Sequence, residues 1–388
     1  MIEREAKDAL LQLAQWYPIV AVVGPRQSGK TTLVKEIFSD YTYINLEDND
    51  QRERALADPV GFVKLLKGNV IFDEIQNCPD LFSQLQVESD ADEKPGRYII
   101  SGSRNLAMSK HIRQSLAGRV GILKLLSLSW SELSNSAAVN NIQEAQFRGG
   151  YPRLYNSRIR EENFYRNYIE TYVDKDVKTD LKETNLIDYK KTIQVCAQSS
   201  GNLVNYSNIA ASIGVSRQTI KSWISLLIES FICFELPAYF TNKMKSLTKT
   251  PKLFFYDTGL LCNLLGITSV DMLLQSKHKG QIFENFVISE TLKKYYNSDK
   301  LCNLYFYRDD SKREVDLIDG SRVEDLNLCE IKSTSTFNKK FLNNLATVSD
   351  MLDVPPNNCH LLMDTERKSC VNEMHVENLD AWLKGIEL

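Results

Sequence analysis

One stretch limits the options of this chain more than any other. The apolar run Ile19-Val-Ala-Val-Val23 leads into Gly24-Pro-Arg-Gln-Ser-Gly29-Lys30-Thr31-Thr32, which leads into the helix-like LVKEIF. Two glycines at this spacing, then lysine and threonine, between a buried strand and a helix, make a loop shaped for an anion. The glycines let the backbone wrap close to phosphate. Successive N–H groups and the helix N-terminus face the negative charge. Gly24, Pro25, Arg26, Gln27, Ser28, Gly29, Lys30, Thr31 and Thr32 are therefore the expected nucleotide-binding residues. Lys30 is placed to reach the β and γ phosphates, and the Thr31 hydroxyl is offered to Mg²⁺.

From residue 19 to about 133, short apolar runs (PIVAVVG, YTYINLE, NVIFDE, RYIISGS, VGILKLL) alternate with helix-like segments. That alternation predicts an α/β fold with a parallel sheet flanked by helices. The run Val70-Ile-Phe-Asp73-Glu74 ends in two carboxylates at a strand's carboxyl end. Asp73 is expected to hold Mg²⁺, and Glu74, one residue on, to orient and polarise the water that attacks the γ phosphate. Ser103, after the next strand, is the candidate γ-phosphate sensor, while Arg119 is read as acting on a neighbouring subunit's phosphate.

The segments GPRQSGKTT, IFDEIQ, SGS, LAGRV followed by LSLSWSEL, and FRGGYP (147–152) together resemble the AAA+-related archaeal and bacterial ATPases that carry a DUF4143 C-terminal region. The resemblance extends over nearly the whole chain. It implies a protein that binds ATP and hydrolyses it, with ATP and Mg²⁺ as cofactors.

The middle of the chain, NYSNIAASIGVSRQTIKSWISLLIESFICFELP, holds two helical patterns joined by a turn at Ile213-Gly214-Val215, with Ser216 as N-cap of the second helix. Ile220, Trp223, Ile224 and Leu227 recur on one face of that helix, so the local prediction is a helix-turn-helix followed by a β wing. Arg217, Gln218, Thr219 and Lys221 at its start, and Lys243, Lys245 and Lys249 in the wing, are the expected DNA contacts, with Lys252 adding to the wing's basic charge. Residues 203–252 carry six basic and two acidic side chains. A chain of net charge -3 needs such a local excess to hold a duplex.

Farther on, Glu284 lies in the helix-like GQIFENFVISETL, ahead of the strand-like Glu314-Val-Asp316 and Glu330-Ile-Lys332. Strand periodicity puts Glu330 and Lys332 on one face. The order resembles a PD-(D/E)xK nuclease core, a restriction-endonuclease-like α/β domain. It implies Asp316 and Glu330 as Mg²⁺ ligands, Glu284 in support, and Lys332 stabilising charge or positioning water.

The expected organisation is a P-loop domain (1–140), a helical and winged-helix domain (141–265) and a nuclease-like domain (266–388). ATP hydrolysis coupled to DNA is the leading expectation. A Mg²⁺-dependent nuclease gated by ATP, and a non-enzymatic ATP-switched regulator of DNA or protein, are the alternatives. The eight cysteines form no CxxC pair and are expected to be reduced, packed thiols. With no run of roughly 20 apolar residues and a charged N-terminus unlike a signal peptide, a cytoplasmic protein is expected. DNA is its expected partner, with a homo-oligomer as a further expectation and no membrane.

Overall fold

The computed structural model describes residues 2–103, 116–173, 177, 185–240, 250–322 and 325–386. The five apolar runs of the N-terminal third form five strands: Ile19–Val23 (β1), Thr42–Asn45 (β2), Val70–Asp73 (β3), Tyr98–Gly102 (β4) and Val120–Lys124 (β5). All pair in parallel, in the order β2-β3-β4-β1-β5. The three central strands are buried along their full length, as an internal parallel strand covered on both faces must be. Helix α1 (Lys7–Trp16) and helix α2 (Lys30–Ile37) cover one face, where Leu10, Leu13, Leu33 and Val34 meet Val20, Val22 and Leu123. On the other face, Leu81, Phe82 and Leu85 pack toward Phe72 and Ile100. The parallel register brings the ends of β1, β3 and β4 to one edge, which is where ligands gather in open sheets.

After β5 the chain forms a short helix α3 (Trp130–Asn135), whose N-cap Ser129 and Glu132 make a reciprocal capping box. In the middle of the chain, α4 (Tyr206–Ile213) ends at Gly214, which is left-handed at φ 88°, and α5 (Arg217–Glu229) begins from the Ser216 cap. Ile220, Trp223, Ile224 and Leu227 all point inward, as their spacing predicted. Burying each contributes about 2 kcal/mol. The hairpin β6 (Cys233–Leu236) and β7 (Lys252–Phe255) follows, and Leu203 adds a bridge to Lys252.

The last third is a mixed sheet packed with the 19-residue helix α6 (Lys279–Asn297). Strands β8 (Leu304–Arg308), β9 (Glu314–Asp319) and β10 (Asn327–Lys332) are antiparallel neighbours; β11 (Cys359–Met363) pairs in parallel with β10. Strands β12 (Ser369–Val371) and β13 (Met374–Glu377) complete the order β12-β13-β11-β10-β9-β8. Helices α7 (Leu342–Leu352) and α8 (Leu379–Gly385) pack on this sheet.

The apolar core is continuous from front to back: Phe72, Leu126 and Trp130 share one cluster with Phe286, Leu292 and Tyr295 of α6 and Trp382 of α8. Six of the eight cysteines are buried and all are free thiols. Among the described residues no helix is long and apolar enough to cross a membrane.

Candidate functional site

The loop between β1 and α2 is built by close approach. A Cβ on Gly24 would stand 2.0 Å from the Leu125 carbonyl oxygen just after β5, so only glycine fits there. Gly29 is left-handed at φ 97° and serves as N-cap of α2, which aims the helix N-terminus into the loop. Lys30 is buried, and its Nζ donates to the carbonyls of Gly24 at 2.9 Å and Pro25 at 2.8 Å. Arg26 pairs with Glu47 at 3.2 Å near the surface; Gln27 and Thr32 are exposed, while Ser28 is buried. The loop therefore folds around its own lysine.

Asp73 sits opposite. Thr31 Oγ1 donates to its Oδ2 at 2.8 Å, Tyr43 donates to the same oxygen at 2.7 Å, and Ser101 Oγ donates to Oδ1. Burial, followed by the hydrogen bond to Asp73, pushes the Tyr43 phenol far up, so it acts as a donor. A hydroxyl and a carboxylate at this separation are a fitting oxygen-donor pair for Mg²⁺. Glu74 follows in a left-handed conformation, φ 54°, which for a non-glycine residue costs about 1–3 kcal/mol. Its Oε2 accepts from Gln76 Nε2 and from the Ser103 N–H at 3.3 Å, and Gln76 Nε2 also reaches Ser103 Oγ at 3.2 Å. Lys30, Thr31, Asp73, Glu74 and Ser103 thus lie along one sheet edge.

Arg119 does not join them. It precedes β5 at the amino end of the sheet, opposite the loop, and its guanidinium is engaged by Asp90 and the Ala117 carbonyl. Its place at the opposite strand end keeps it away from the loop of its own chain, which leaves the expected action on a neighbouring subunit untouched.

Sequence reading missed Arg4. This buried residue donates from Nε to Glu132 at 3.0 Å, from one terminal nitrogen to the Ser28 carbonyl at 2.7 Å, and from the other to the Leu126 carbonyl at 2.8 Å. It clamps the phosphate loop to the segment after β5. That segment is tied in other directions too. Ser127 Oγ donates to Asp257 at 3.0 Å, and Lys293 Nζ donates to the Leu128 carbonyl at 3.0 Å. The Trp130 N–H donates to Glu290 at 2.6 Å and its indole to Asp380 at 2.8 Å.

A second cluster forms in the last third. Lys332 Nζ lies 2.6 Å from Glu330 Oε1 and 3.4 Å from Asp316 Oδ2, and the Ile331 N–H donates to Asp316 at 2.8 Å. Glu284 is drawn in through Lys252, whose Nζ lies 3.0 Å from Glu284 and 2.6 Å from Glu314. Lys252 was expected on a basic wing surface; it is only 3% exposed and faces carboxylates. Burial, then the Asp316 carboxylate, pushes Glu284 and Glu330 up against the pull of Lys252 and Lys332 respectively. Burial works against the Lys252 ammonium, but Glu284, Asp316 and Glu314 outweigh it and raise its pKa. Glu330 Oε2 is buried with no hydrogen-bond partner. Among the described residues no three Asp, Glu, His or Cys side chains are already grouped to hold a metal. The expected ligand set Glu284, Asp316 and Glu330 is therefore not preassembled, because each of its carboxylates is engaged by a lysine or a backbone N–H. The donor chemistry is that of oxygen ligands, which suit a hard cation.

Of the expected DNA contacts, Arg217, Gln218 and Lys221 are exposed at the start of α5, and Thr219 is half-buried against Ser216. Lys243, Lys245 and Lys249 lie outside the described residues.

Three family models match parts of the chain. Family models match residues 17–134 as an AAA domain, 139–271 as the domain of unknown function DUF8612, and 279–382 as the domain of unknown function DUF4143. The uncharacterized protein Rv2008c of Mycobacterium tuberculosis is 29% identical over 321 residues, covering 82% of this chain and 71% of the relative. Mb2031c of Mycobacterium bovis, also uncharacterized, matches with the same figures. Among solved structures, a Walker-type ATPase of Pyrococcus abyssi aligns with 68% of this chain and 96% of its own at 13% identity and a TM-score of 0.45.

Proposed function

The chain joins an AAA P-loop domain to a DUF4143 C-terminal region, and from that premise we propose that it binds ATP with Mg²⁺, hydrolyses it, and couples the cycle to DNA. The observation that carries this reading is the Thr31–Asp73 contact beside Lys30, with Glu74 one residue beyond. Lys30 exchanges the Gly24 and Pro25 carbonyls for phosphate oxygens, and the N–H groups before α2 take the remaining negative charge. Thr31 and Asp73 would hold Mg²⁺, which would neutralise phosphate charge there. Glu74, fixed by Gln76 and the Ser103 N–H, orients the attacking water and accepts its proton. Ser103, tied to Gln76 at 3.2 Å, registers whether the γ phosphate is present. Turnover of ATP with Mg²⁺, measured alone and with single- or double-stranded DNA, tests the proposal. A chain that binds no nucleoside triphosphate overturns it, and tight binding without turnover leaves a switch rather than an enzyme.

DNA contact is assigned to the exposed start of α5. The double variant Arg217→Ala/Lys221→Ala should bind duplex more weakly, with the slope of log affinity against log salt shallower by about 2. An unchanged slope in a fluorescence-anisotropy titration removes this helix from the interface.

A second reading follows from the buried, unpartnered Glu330 oxygen beside Asp316 and Lys332. In it the C-terminal cluster cleaves phosphodiesters with a divalent metal, Asp316 and Glu330 holding the metal and Lys332 stabilising the attacked phosphate. Asp316→Ala should then abolish Mn²⁺- or Mg²⁺-dependent cleavage measured with ATP present. If the parent cleaves no nucleic acid under those conditions, the reading falls.

A further inference from the structure

Four elements from two parts of the chain meet at the C-terminal cluster. Helix α6 brings Glu284, β9 brings Glu314 and Asp316, β10 brings Glu330 and Lys332, and the hairpin strand β7 brings Lys252. The hairpin belongs to the helix-turn-helix part of the fold, and its lysine reaches across to the last domain. The side chain is fully committed there. Its Nζ lies 2.6 Å from Glu314 Oε1 and 3.0 Å from Glu284 Oε1, with the Phe306 ring centroid 5.4 Å away. Arg308 takes the other Glu314 oxygen at 3.3 Å.

A buried ion pair is by itself weak evidence of function, since desolvation offsets most of the attraction. Here a second observation points to a ligand. Glu330 is 7% exposed, and its Oε2 has no donor, an arrangement costly to maintain unless something positive completes it. Divalent metals take several carboxylate oxygens at once, and among the described residues the carboxylates are not yet grouped to do so. An ammonium that already bridges Glu284 and Glu314 accounts for the second fact, while Glu330 Oε2, which Lys252 does not touch, stays open for a cation.

We infer that Lys252 is a stand-in cation: it occupies the carboxylates that a divalent metal needs, and metal loads the cluster as Lys252 releases Glu284 and Glu314. The inference rests on reading the cluster as a metal-dependent phosphodiester site. It adds a consequence, because Lys252 heads β7. Metal loading loosens the hairpin that carries the helix-turn-helix, so the two parts of the chain compete for one set of oxygens.

The test is a calorimetric titration of the nucleotide-free full chain with Mn²⁺, in a Thr31→Ala background that weakens the P-loop site. Lys252→Met should bind Mn²⁺ at least about tenfold more tightly than the parent, a gain of about 1.4 kcal/mol, because the competing ammonium is gone. It should also melt earlier without metal and regain most of the loss with Mn²⁺. Adding Glu330→Gln should abolish the tighter binding. In the parent, saturating Mn²⁺ should speed amide hydrogen exchange in residues 252–255, a readout that needs no variant at Lys252. If Lys252→Met binds Mn²⁺ no better than a parent whose binding depends on Glu330, Lys252 is a plain structural latch and the metal reading survives. Slower or unchanged exchange in β7 with Mn²⁺ bound likewise overturns the competition. If neither protein binds Mn²⁺ through Glu330, the metal reading itself falls.

Discussion

Glu74→Gln is expected to lower ATP turnover about 10²–10⁴-fold, the usual contribution of a positioned general base, while ATP affinity stays within about threefold. The geometry separates the two effects. Phosphate and Mg²⁺ are assigned to Lys30, Thr31 and Asp73, with Lys30 bonded to the Gly24 and Pro25 carbonyls and Thr31 to Asp73, while Glu74 is held by Gln76 and the Ser103 N–H. Glutamine has the same shape and keeps one oxygen to accept the Ser103 N–H. It loses only the capacity to take a proton from water. Turnover by phosphate release and affinity by titration with a fluorescent ATP analogue check the two halves separately. Equal turnover in variant and parent removes Glu74 from the chemistry, and a large loss of affinity shows that the variant has disturbed the loop instead.

The second large effect is expected at Arg4. Arg4→Met should destabilise the protein by about 3–5 kcal/mol, the cost of breaking a buried ion pair by removing one partner. Both side chains are well buried, at 8% and 0% exposure for Arg4 and Glu132. Glu132 keeps the Glu5 and Ser129 N–H groups as donors, but its charge loses compensation. The carbonyls of Ser28 and Leu126 lose their guanidinium donors at the same time. Adding Glu132→Gln should recover part of the loss, because the unpaired charge disappears. Chemical unfolding of the two variants and the parent measures this. A change below about 0.5 kcal/mol, typical of a surface site, would place Arg4 outside the machinery that holds the loop.

How much of this was readable beforehand follows from the range over which each interaction acts. The five parallel strands, the glycine loop and the helix-turn-helix announce themselves through neighbours within a few residues: alternation, spacing and a serine cap. Asp73 was legible as a strand-end carboxylate, but Tyr43 and Ser101, which hold it, come from strands on either side of β3. Only the sheet order makes them neighbours. Arg4 lies 128 residues from Glu132, and no local pattern connects the two. Lys252 misled for the opposite reason. Lysine is seldom buried unless paired, and here its partners are 32 and 62 positions downstream at Glu284 and Glu314.

The segment from Leu126 to Glu132 is gripped by Arg4 from before α1, by Asp257 from the middle of the chain, and by Glu290, Lys293 and Asp380 from its last third. A protein wired through seven consecutive residues does not offer interchangeable parts. Grafting the P-loop front onto a foreign rear would require the graft to supply a carboxylate and an amine at matching heights on one helix. Such a join can drift in sequence only if several distant positions change in step.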